Sequence, residues 1–367
     1  MTPRVLFVGR GRLSLPLAPW LQRKWDALSE VLDLRVLNAG SGHGDSRFTF
    51  LPDSAAAFYS RLPVEVARSL RAFPAQVIVA SDPYVGAASR IGRALARSHA
   101  RLVVEIHGDP RTLTRSYGLP ARRLVALPAD AIARSGIRHA DATRALSEYT
   151  SSLVEAVTGH PATACFPTYS DLSAFRDPPL VPVPDAPRVV FVGALETYKN
   201  VDGLAGAWRV VARTHPEATL AVIGKGSRRE VIDRLVAELP AQVEYHAELA
   251  PDDVVAQVDA ARALVLPSYP EGLGRVVLEA FARGRMVVGT NGGGIPDMAT
   301  DAVDAILIPR ADTAALVAAL NRVLENKELA VRLGAAARTT YERWHQTVTD
   351  FADAYRALVD AVVEEAR

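Results

Sequence analysis

Two glutamates, Glu271 and Glu279, stand in the run Pro267-Ser268-Tyr269-Pro270-Glu271-Gly272-Leu273-Gly274-Arg275-Val276-Val277-Leu278-Glu279. Ahead of them, residues 263–266 form a short apolar run suited to a buried strand. Pro270 and Gly272 interrupt it, and residues 276–283 carry apolar side chains at helical spacing. The order is strand, glycine-rich turn, helix. Glu271 then projects from the turn and Glu279 from the second turn of the helix. Between them lie the backbone N–H groups of a helix N-terminus, where the positive end of the helix dipole also falls. A carboxylate, a set of amides and a second carboxylate suit a ligand with hydroxyls at both ends and a diphosphate in the middle, which is the shape of a nucleotide sugar. Taken alone, the same residues fit a loop carboxylate and a solvated helix face.

The stretch from Pro267 to Ala282 resembles the E-x7-E signature of retaining GT-B glycosyltransferases, specifically family 4, and the similarity runs along nearly the whole chain. Phe191-Val192-Gly193 through Lys199-Asn200-Val201-Asp202-Gly203-Leu204 resembles the strand and loop that open the family's donor domain. Residues 220–226 resemble the next strand with its G-x-G turn. Thr290-Asn291-Gly292-Gly293-Gly294-Ile295-Pro296-Asp297 is similar to the GG-x-P-E loop, with Asp in place of Glu. Val103-Val104-Glu105-Ile106-His107-Gly108-Asp109 resembles the strand that ends in His-Gly.

The resemblance implies two Rossmann-like α/β domains whose parallel sheets face each other across an interdomain cleft, with the last helix crossing back to the first domain. It also implies transfer of a hexose-type sugar from a nucleotide-diphosphate sugar to a glycan or lipid-linked acceptor, in cell-surface polysaccharide or glycolipid synthesis. The catalytic residues would be His107 beside the donor sugar, Lys199 on the diphosphate and Glu271 on the sugar. Leu273, Gly274, Arg275 and Val276 would bring their amides to the donor, and Glu279 would accept the ribose hydroxyls. Gly11, in Gly9-Arg10-Gly11, would belong to a glycine-rich loop following the first strand. Asp82 and Asp109, beyond the ends of parallel strands, are acceptor-side candidates. Tyr245 and His246 fall where relatives contact the nucleobase.

The chain departs from the family pattern at Ala194, where an Arg usually follows the glycine. Losing one preorganised contact to developing charge costs about 3 kcal/mol, or roughly 10²-fold in rate. Arg275 is placed to restore that charge. Asp-x-Asp, which metal-dependent transferases of the other main fold use, occurs nowhere in the sequence. Lys199 and helix-end amides are therefore expected to serve without an essential metal, and no cofactor is expected. An alternative from another class is a non-catalytic GT-B partner that binds nucleotide sugar or glycan, which Ala194 would favour.

Positioning these residues requires two alternations of strand and helix. In the first half, strands are expected at 5–8, 34–37, 76–80, 102–106 and 142–146, with helices at 21–32, 63–72 and 85–98. In the second half, strands are expected at 189–192, 219–223, 243–246, 263–266, 286–289 and 305–308. Helices there are expected at 201–213, 229–239, 251–260, 276–283, 313–326 and 329–343. The proline-dense segment 177–187 reads as the linker, and Val348, Phe351, Ala352, Tyr355, Leu358, Val359 and Val362 mark one face of a last helix. The expected domains are 1–175, 176–345 and the helical segment 346–367. At 367 residues, the chain exceeds what one hydrophobic core usually fills.

An apolar content of 49% and a charged content of 23% are ordinary globular values. The lone Cys165 precludes an internal disulfide, and no run suits a signal or membrane segment, so the cytoplasm is the expected compartment. Residues 1–175 hold 21 Lys and Arg against 14 Asp and Glu, a balance of +7, whereas the remainder carries −6. Arg111, Arg115, Arg122, Arg123, Arg134 and Arg138, interleaved with Tyr117, Leu119, Leu124 and Leu127, make 111–138 a candidate interfacial segment at the inner face of the plasma membrane. A solvated arginine-rich helix fits the same stretch. Nucleic-acid binding is not expected, because the net charge is near neutral and no recognition module is present.

Overall fold

Short apolar runs buried on both faces build two parallel sheets in the computed structural model, which describes residues 2–111 and 126–365. Such runs read as unbroken rather than alternating because helices cover a parallel sheet on each side. One unit comprises residues 2–110, 126–170 and 346–365, and the second is built around 171–345.

The elements of the first unit are β1 (Arg4–Ser14), α1 (Pro19–Val31), β2 (Asp33–Ser41), β3 (Phe48–Leu51), α2 (Ala55–Ala72), β4 (Val77–Ala80) and α3 (Pro83–Ala96). They continue with β5 (Arg101–Ile106), α4 (Ala126–Arg138), β6 (Ala142–Ala145), α5 (Glu148–Thr158) and β7 (Ala164–Cys165). The strands pair in the order β3-β2-β1-β4-β5-β6-β7, so the chain reverses direction across the sheet between β1 and β4. Crevices at such switch points are the usual ligand sites of open α/β sheets. Phe58, Leu62, Val66 and Leu70 of α2 and Val85 of α3 pack on one face, and Trp25 and Leu28 of α1 pack on the other.

Two sequence expectations change here. Gly11 does not sit in a loop after the first strand: β1 runs on to Ser14, pairing Leu13 with Gly40 after a register shift beyond Gly9. Gly11 lies inside that bulge, and its carbonyl accepts from the Asn38 amide. The helix expected at 63–72 begins at Ala55, capped by Ser54, whose side chain accepts from Ala57 N, and Pro63 lies within it. The buried stripe at 58, 62, 66 and 70 outweighs the cost of an internal proline.

The second unit contains α6 (Ser173–Arg176), β8 (Arg188–Val192), a 3-10 turn at Thr197–Lys199, α7 (Val201–Thr214), β9 (Thr219–Ile223), α8 (Arg229–Glu238), β10 (Val243–His246) and α9 (Pro251–Asp259). It closes with β11 (Ala263–Leu266), α10 (Arg275–Ala282), β12 (Met286–Thr290), α11 (Ile295–Met298), β13 (Ala305–Ile308), α12 (Thr313–Glu325) and α13 (Lys327–Trp344). The sheet order is β10-β9-β8-β11-β12-β13, again with a reversal, between β8 and β11. The proline-dense segment is strapped to this unit by buried arginines. Arg283 donates to the carbonyls of Phe175, Pro178 and Pro179, and Arg285 to those of Val181 and Pro182. Prolines have no backbone N–H to offer, so the carbonyls of such a segment take donors from elsewhere, and the five N–H groups of a guanidinium supply them.

The last helix, α14 (Val348–Glu364), belongs to the first unit. Its stripe of Phe351, Tyr355, Leu358, Val359 and Val362 is buried in the same core as Trp25 and Leu28. No helix among the described residues is long and apolar enough to cross a membrane. Arg115, Arg122 and Arg123 of the candidate interfacial segment lie outside the described residues, whereas Arg134 and Arg138 are on α4.

Candidate functional site

In the second unit, β8 ends at Val192 and the chain turns through Gly193, Ala194, Leu195 and Glu196 into the short turn that ends at Lys199. Asn200, with φ of 54°, caps α7 by accepting from Gly203 N. The Lys199 side chain is buried and runs back over Gly193, where an added Cβ would meet its Cε at 3.5 Å and its ammonium at 3.7 Å. That ammonium forms an ion pair with Glu271 Oε1, which also accepts from Ser268 Oγ at 3.1 Å.

The backbone of Glu271 is held by the glycine loop after β12. Gly294 N donates to Glu271 O at 2.9 Å, and Gly293 bridges to Glu271. Gly293 has φ of 69°, and a Cβ there would lie 2.6 Å from Glu271 N, so the position is closed to any other residue. Gly274 reaches φ of 83° at the N-cap of α10, which lets the turn enter the helix directly. One helical turn separates Arg275 from Glu279, and they pair at 2.8 Å, with Arg275 59% exposed and Glu279 only 5%. Burial pushes the Glu279 carboxyl above its ordinary range, opposed by the nearby charges of Arg275 and Lys199. Lys199, Glu271, Arg275 and Glu279 are thus brought together at the start of α10, with Leu273, Gly274 and Val276 in the same turn. The cation sought in Arg275 is engaged with Glu279 in this structure.

The sequence reading missed Ser268 and Glu196. Ser268 is buried three residues before Glu271, a spacing visible in the run itself. Glu196 is buried and accepts from Ser227 N at 3.1 Å and Ser227 Oγ at 2.6 Å, tying the β8 turn to the glycine turn after β9. At the end of β10, Tyr245 carries the Arg229 guanidinium on its ring at 3.8 Å and donates to Gly224 O at 2.9 Å. His246 is 2.5 Å from Glu244.

The remaining candidates lie in the first unit. His107 leaves the end of β5 with its side chain 43% exposed and its Nε2 3.1 Å from Glu105 Oε2. Glu105 is buried and receives Arg144 at 2.5 Å and the Tyr355 hydroxyl on its other oxygen. Burial alone would raise the Glu105 carboxyl, but Arg144, then His107 and Tyr355, hold it well below the usual carboxylate range. A carboxylate that only accepts requires Nε2 of His107 to carry a proton. Asp82 caps α3 by accepting from Tyr84 N at 2.8 Å and Val85 N at 2.9 Å, and burial raises its carboxyl. That engagement leaves Oδ2 as its oxygen without a capping bond. Asp109 lies in the irregular segment after β5. Among the described residues, no group of three His, Cys, Asp or Glu is placed to hold a metal.

Residues 177–340 match the family described as glycosyl transferases group 1. Over 175 residues, 46% of this chain, the sequence is 32% identical to glycogen synthase of Mycobacterium tuberculosis, covering 42% of that protein. The chain therefore spans less than half the length of this relative. Among solved structures, sucrose-phosphate synthase from Thermosynechococcus elongatus superposes with a TM-score of 0.77 at 19% identity, covering 98% of this chain and 100% of that one. HepE of Anabaena, solved in complex with UDP-glucose, gives 0.69 at 16% identity over 97% and 99% of the two chains. These likenesses show the fold, which is the two-unit α/β GT-B class.

Proposed function

We propose that this chain is a retaining glycosyltransferase of family 4. It moves a hexose-type sugar from a nucleotide-diphosphate sugar to a glycan or glycolipid acceptor, without an essential metal, in cytoplasmic assembly of cell-surface polysaccharide or glycolipid. The observation that carries this is the grouping of Lys199, Glu271, Arg275 and Glu279 at the start of α10, inside the stretch that matches glycosyl transferases group 1. The complex of HepE with UDP-glucose supports a donor of this class.

In the reaction, the bond from the anomeric carbon to the diphosphate oxygen breaks, a bond to the acceptor hydroxyl oxygen replaces it and that hydroxyl's proton is given up to the departing diphosphate. Positive charge grows on the sugar as negative charge grows on the leaving group. Fixed donors aimed at the leaving group lower that barrier most. Lys199 exchanges Glu271 for the diphosphate, and the amides of the first turn of α10 join it, where the helix dipole favours an anion. Glu271, released from Lys199, accepts the sugar hydroxyls, and Glu279 accepts those of the ribose. His107, whose Nε2 donates to Glu105, is the candidate carried by β5 for a sugar hydroxyl. Asp82 and Asp109 serve the acceptor.

The test is incubation with UDP-, GDP- and ADP-sugars in EDTA, with sugar release and product anomer followed by NMR. Expected are one hydrolysed donor, retention at the anomeric carbon and loss of turnover in Glu271→Ala. Inversion, or activity abolished by EDTA, would contradict the proposal. A second reading, a nucleotide-sugar-binding partner without turnover, is favoured by Ala194 together with the engagement of Arg275 by Glu279. Binding of a donor with no release across all acceptors would select it.

A further inference from the structure

Near its end, β1 carries a cation to which the fold gives no counter-charge. Asn38 of β2 is buried and donates to the carbonyls of Gly11 and Ala39, and an added Cβ on Gly9 would collide with its Oδ1. These contacts fix the backbone on both sides of Arg10. The Arg10 side chain, on the side of the sheet where Leu6 and Val8 are buried, lies over the ring of Tyr59 from α2, with Cζ 5.8 Å from the ring centroid. Arg10 is half-buried and its Nε is sealed from solvent, yet no hydrogen bond reaches that N–H. The other arginines of the first unit that are at least half-buried each meet a carboxylate: Arg47 meets Asp45, Arg93 and Arg101 meet Asp141, Arg144 meets Glu105 and Arg356 meets Asp360. Arg10 has no such partner among the described residues.

The place of this cation matters as much as its charge. Val8 of β1 pairs with Ala80 of β4, so Arg10 and Asp82 each follow the last matched residue by two positions. They stand at the carboxyl ends of the two strands between which the sheet order reverses, where open α/β sheets hold their ligands. Asp82 commits Oδ1 to the N–H groups of Tyr84 and Val85, and burial raises its carboxyl. Burial, then the charge of Asp82, pushes the Tyr59 phenol well above its ordinary range, so its hydroxyl keeps the proton it can donate. A guanidinium N–H left unbonded away from water costs stability in the free protein, and such costs persist where a ligand relieves them. The ligand group that matches the planar fork of a guanidinium is an oxyanion, two of whose oxygens accept side by side. The Tyr59 hydroxyl and the Asp82 carboxyl suit the hydroxyls of a sugar or polyol bearing that oxyanion.

We infer that Arg10 is a specificity-determining residue, selecting an acceptor that carries a carboxylate or phosphate ester on a sugar or polyol and binding it in the crevice between the ends of β1 and β4. The inference rests on the reading of the first unit as the acceptor side of the transfer reaction.

The experiment titrates the full chain, with no donor present, with glucose, glucuronate and glucose 6-phosphate. Saturation-transfer NMR gives the affinities, and the Nε–H signal of Arg10, assigned by its loss in Arg10→Gln, reports the contact. At least one of the two anionic sugars should bind about tenfold or more tighter than glucose and move that signal, the least expected of a charge-assisted hydrogen bond. Whichever does so names the oxyanion. Arg10→Gln should bring its affinity down to that of glucose, whereas Arg10→Lys, which keeps the charge and loses the fork, should retain part of the difference. Neither variant should melt below the wild type, because Arg10 has no ion pair to lose. Equal binding of the three sugars, or an anion preference that survives in Arg10→Gln, would overturn the inference. So would a loss of UDP affinity in Arg10→Gln, which would assign the guanidinium to the donor's diphosphate. Sugar binding is read without donor or turnover, so a failure here leaves the transfer reaction to be judged by donor hydrolysis alone.

Discussion

Replacing Glu105 with Gln is expected to destabilise the first unit by about 3–5 kcal/mol at neutral pH, the usual result of stranding one partner of a buried ion pair. Arg144 is 1% exposed and pairs with Glu105 at 2.5 Å. In Glu105→Gln it keeps its bond to the Phe166 carbonyl at 3.0 Å, but nothing balances its charge. The pH dependence has a definite sign. The Glu105 carboxyl is depressed in the folded protein, so its contribution is complete above its ordinary value of 4.5 and is lost as pH falls below it. Burial pushes the Lys24 ammonium beside it down to about 8, so the stability gap between wild type and Glu105→Gln should be constant only from pH 7 to about 5. Below about 4.5 it should narrow by about 1.4 kcal/mol per pH unit. Calorimetry across that range, with hydrogen exchange of β5 and α14 to identify the first unit's transition, reads both quantities. A gap under about 1 kcal/mol at pH 7, or one that does not narrow in acid, would refute the reasoning.

Three further outcomes are expected. Lys199→Met and Glu271→Gln should each destabilise the second unit by about 3 kcal/mol or more, whereas the double variant should recover much of that without recovering donor binding, as read by urea unfolding and nucleotide titration. Glu279→Gln should melt higher than wild type at pH 7, because burial raises this carboxyl and its ionised form opposes folding as pH rises through the folded value. The same variant should lose donor affinity, and a lower melting temperature would contradict the assignment. Tyr355→Phe removes one bond to a buried carboxylate and should cost about 1.5–3 kcal/mol in denaturant unfolding, with the effect shrinking sharply when Glu105 is already Gln.

Strands at 219–223, 263–266 and 305–308 were legible in the sequence because each is an apolar or β-branched run, and 243–246 because Val243 and Tyr245 alternate with polar residues. The edge strand β3 was not: four residues after a glycine-rich stretch carry too little periodicity to stand out. The Glu271 and Glu279 block was legible as a pattern, but the physical role of Gly293 appeared only with the backbone of Glu271 beside it. The Arg275–Glu279 pair could have been read from its four-residue spacing on one helix. The network behind His107 could not. Glu105 meets a partner 39 positions away in Arg144 and another 250 away in Tyr355, and no local period links such positions. Gly11 was misplaced because a bulge extends β1 past the point where its apolar run stops.

Calorimetric titration of the donor nucleotide sugar onto the wild type, Lys199→Met and Glu279→Gln, all in EDTA, tests the central assignment most directly. The wild type should bind without metal. Lys199→Met should lose roughly 10²-fold in affinity for the nucleotide diphosphate, the scale expected for losing a charged contact of ~3 kcal/mol, and Glu279→Gln should lose a smaller factor confined to the ribose contact. Binding that requires a divalent cation, or that both variants retain at wild-type strength, would contradict the placement of the donor at the start of α10.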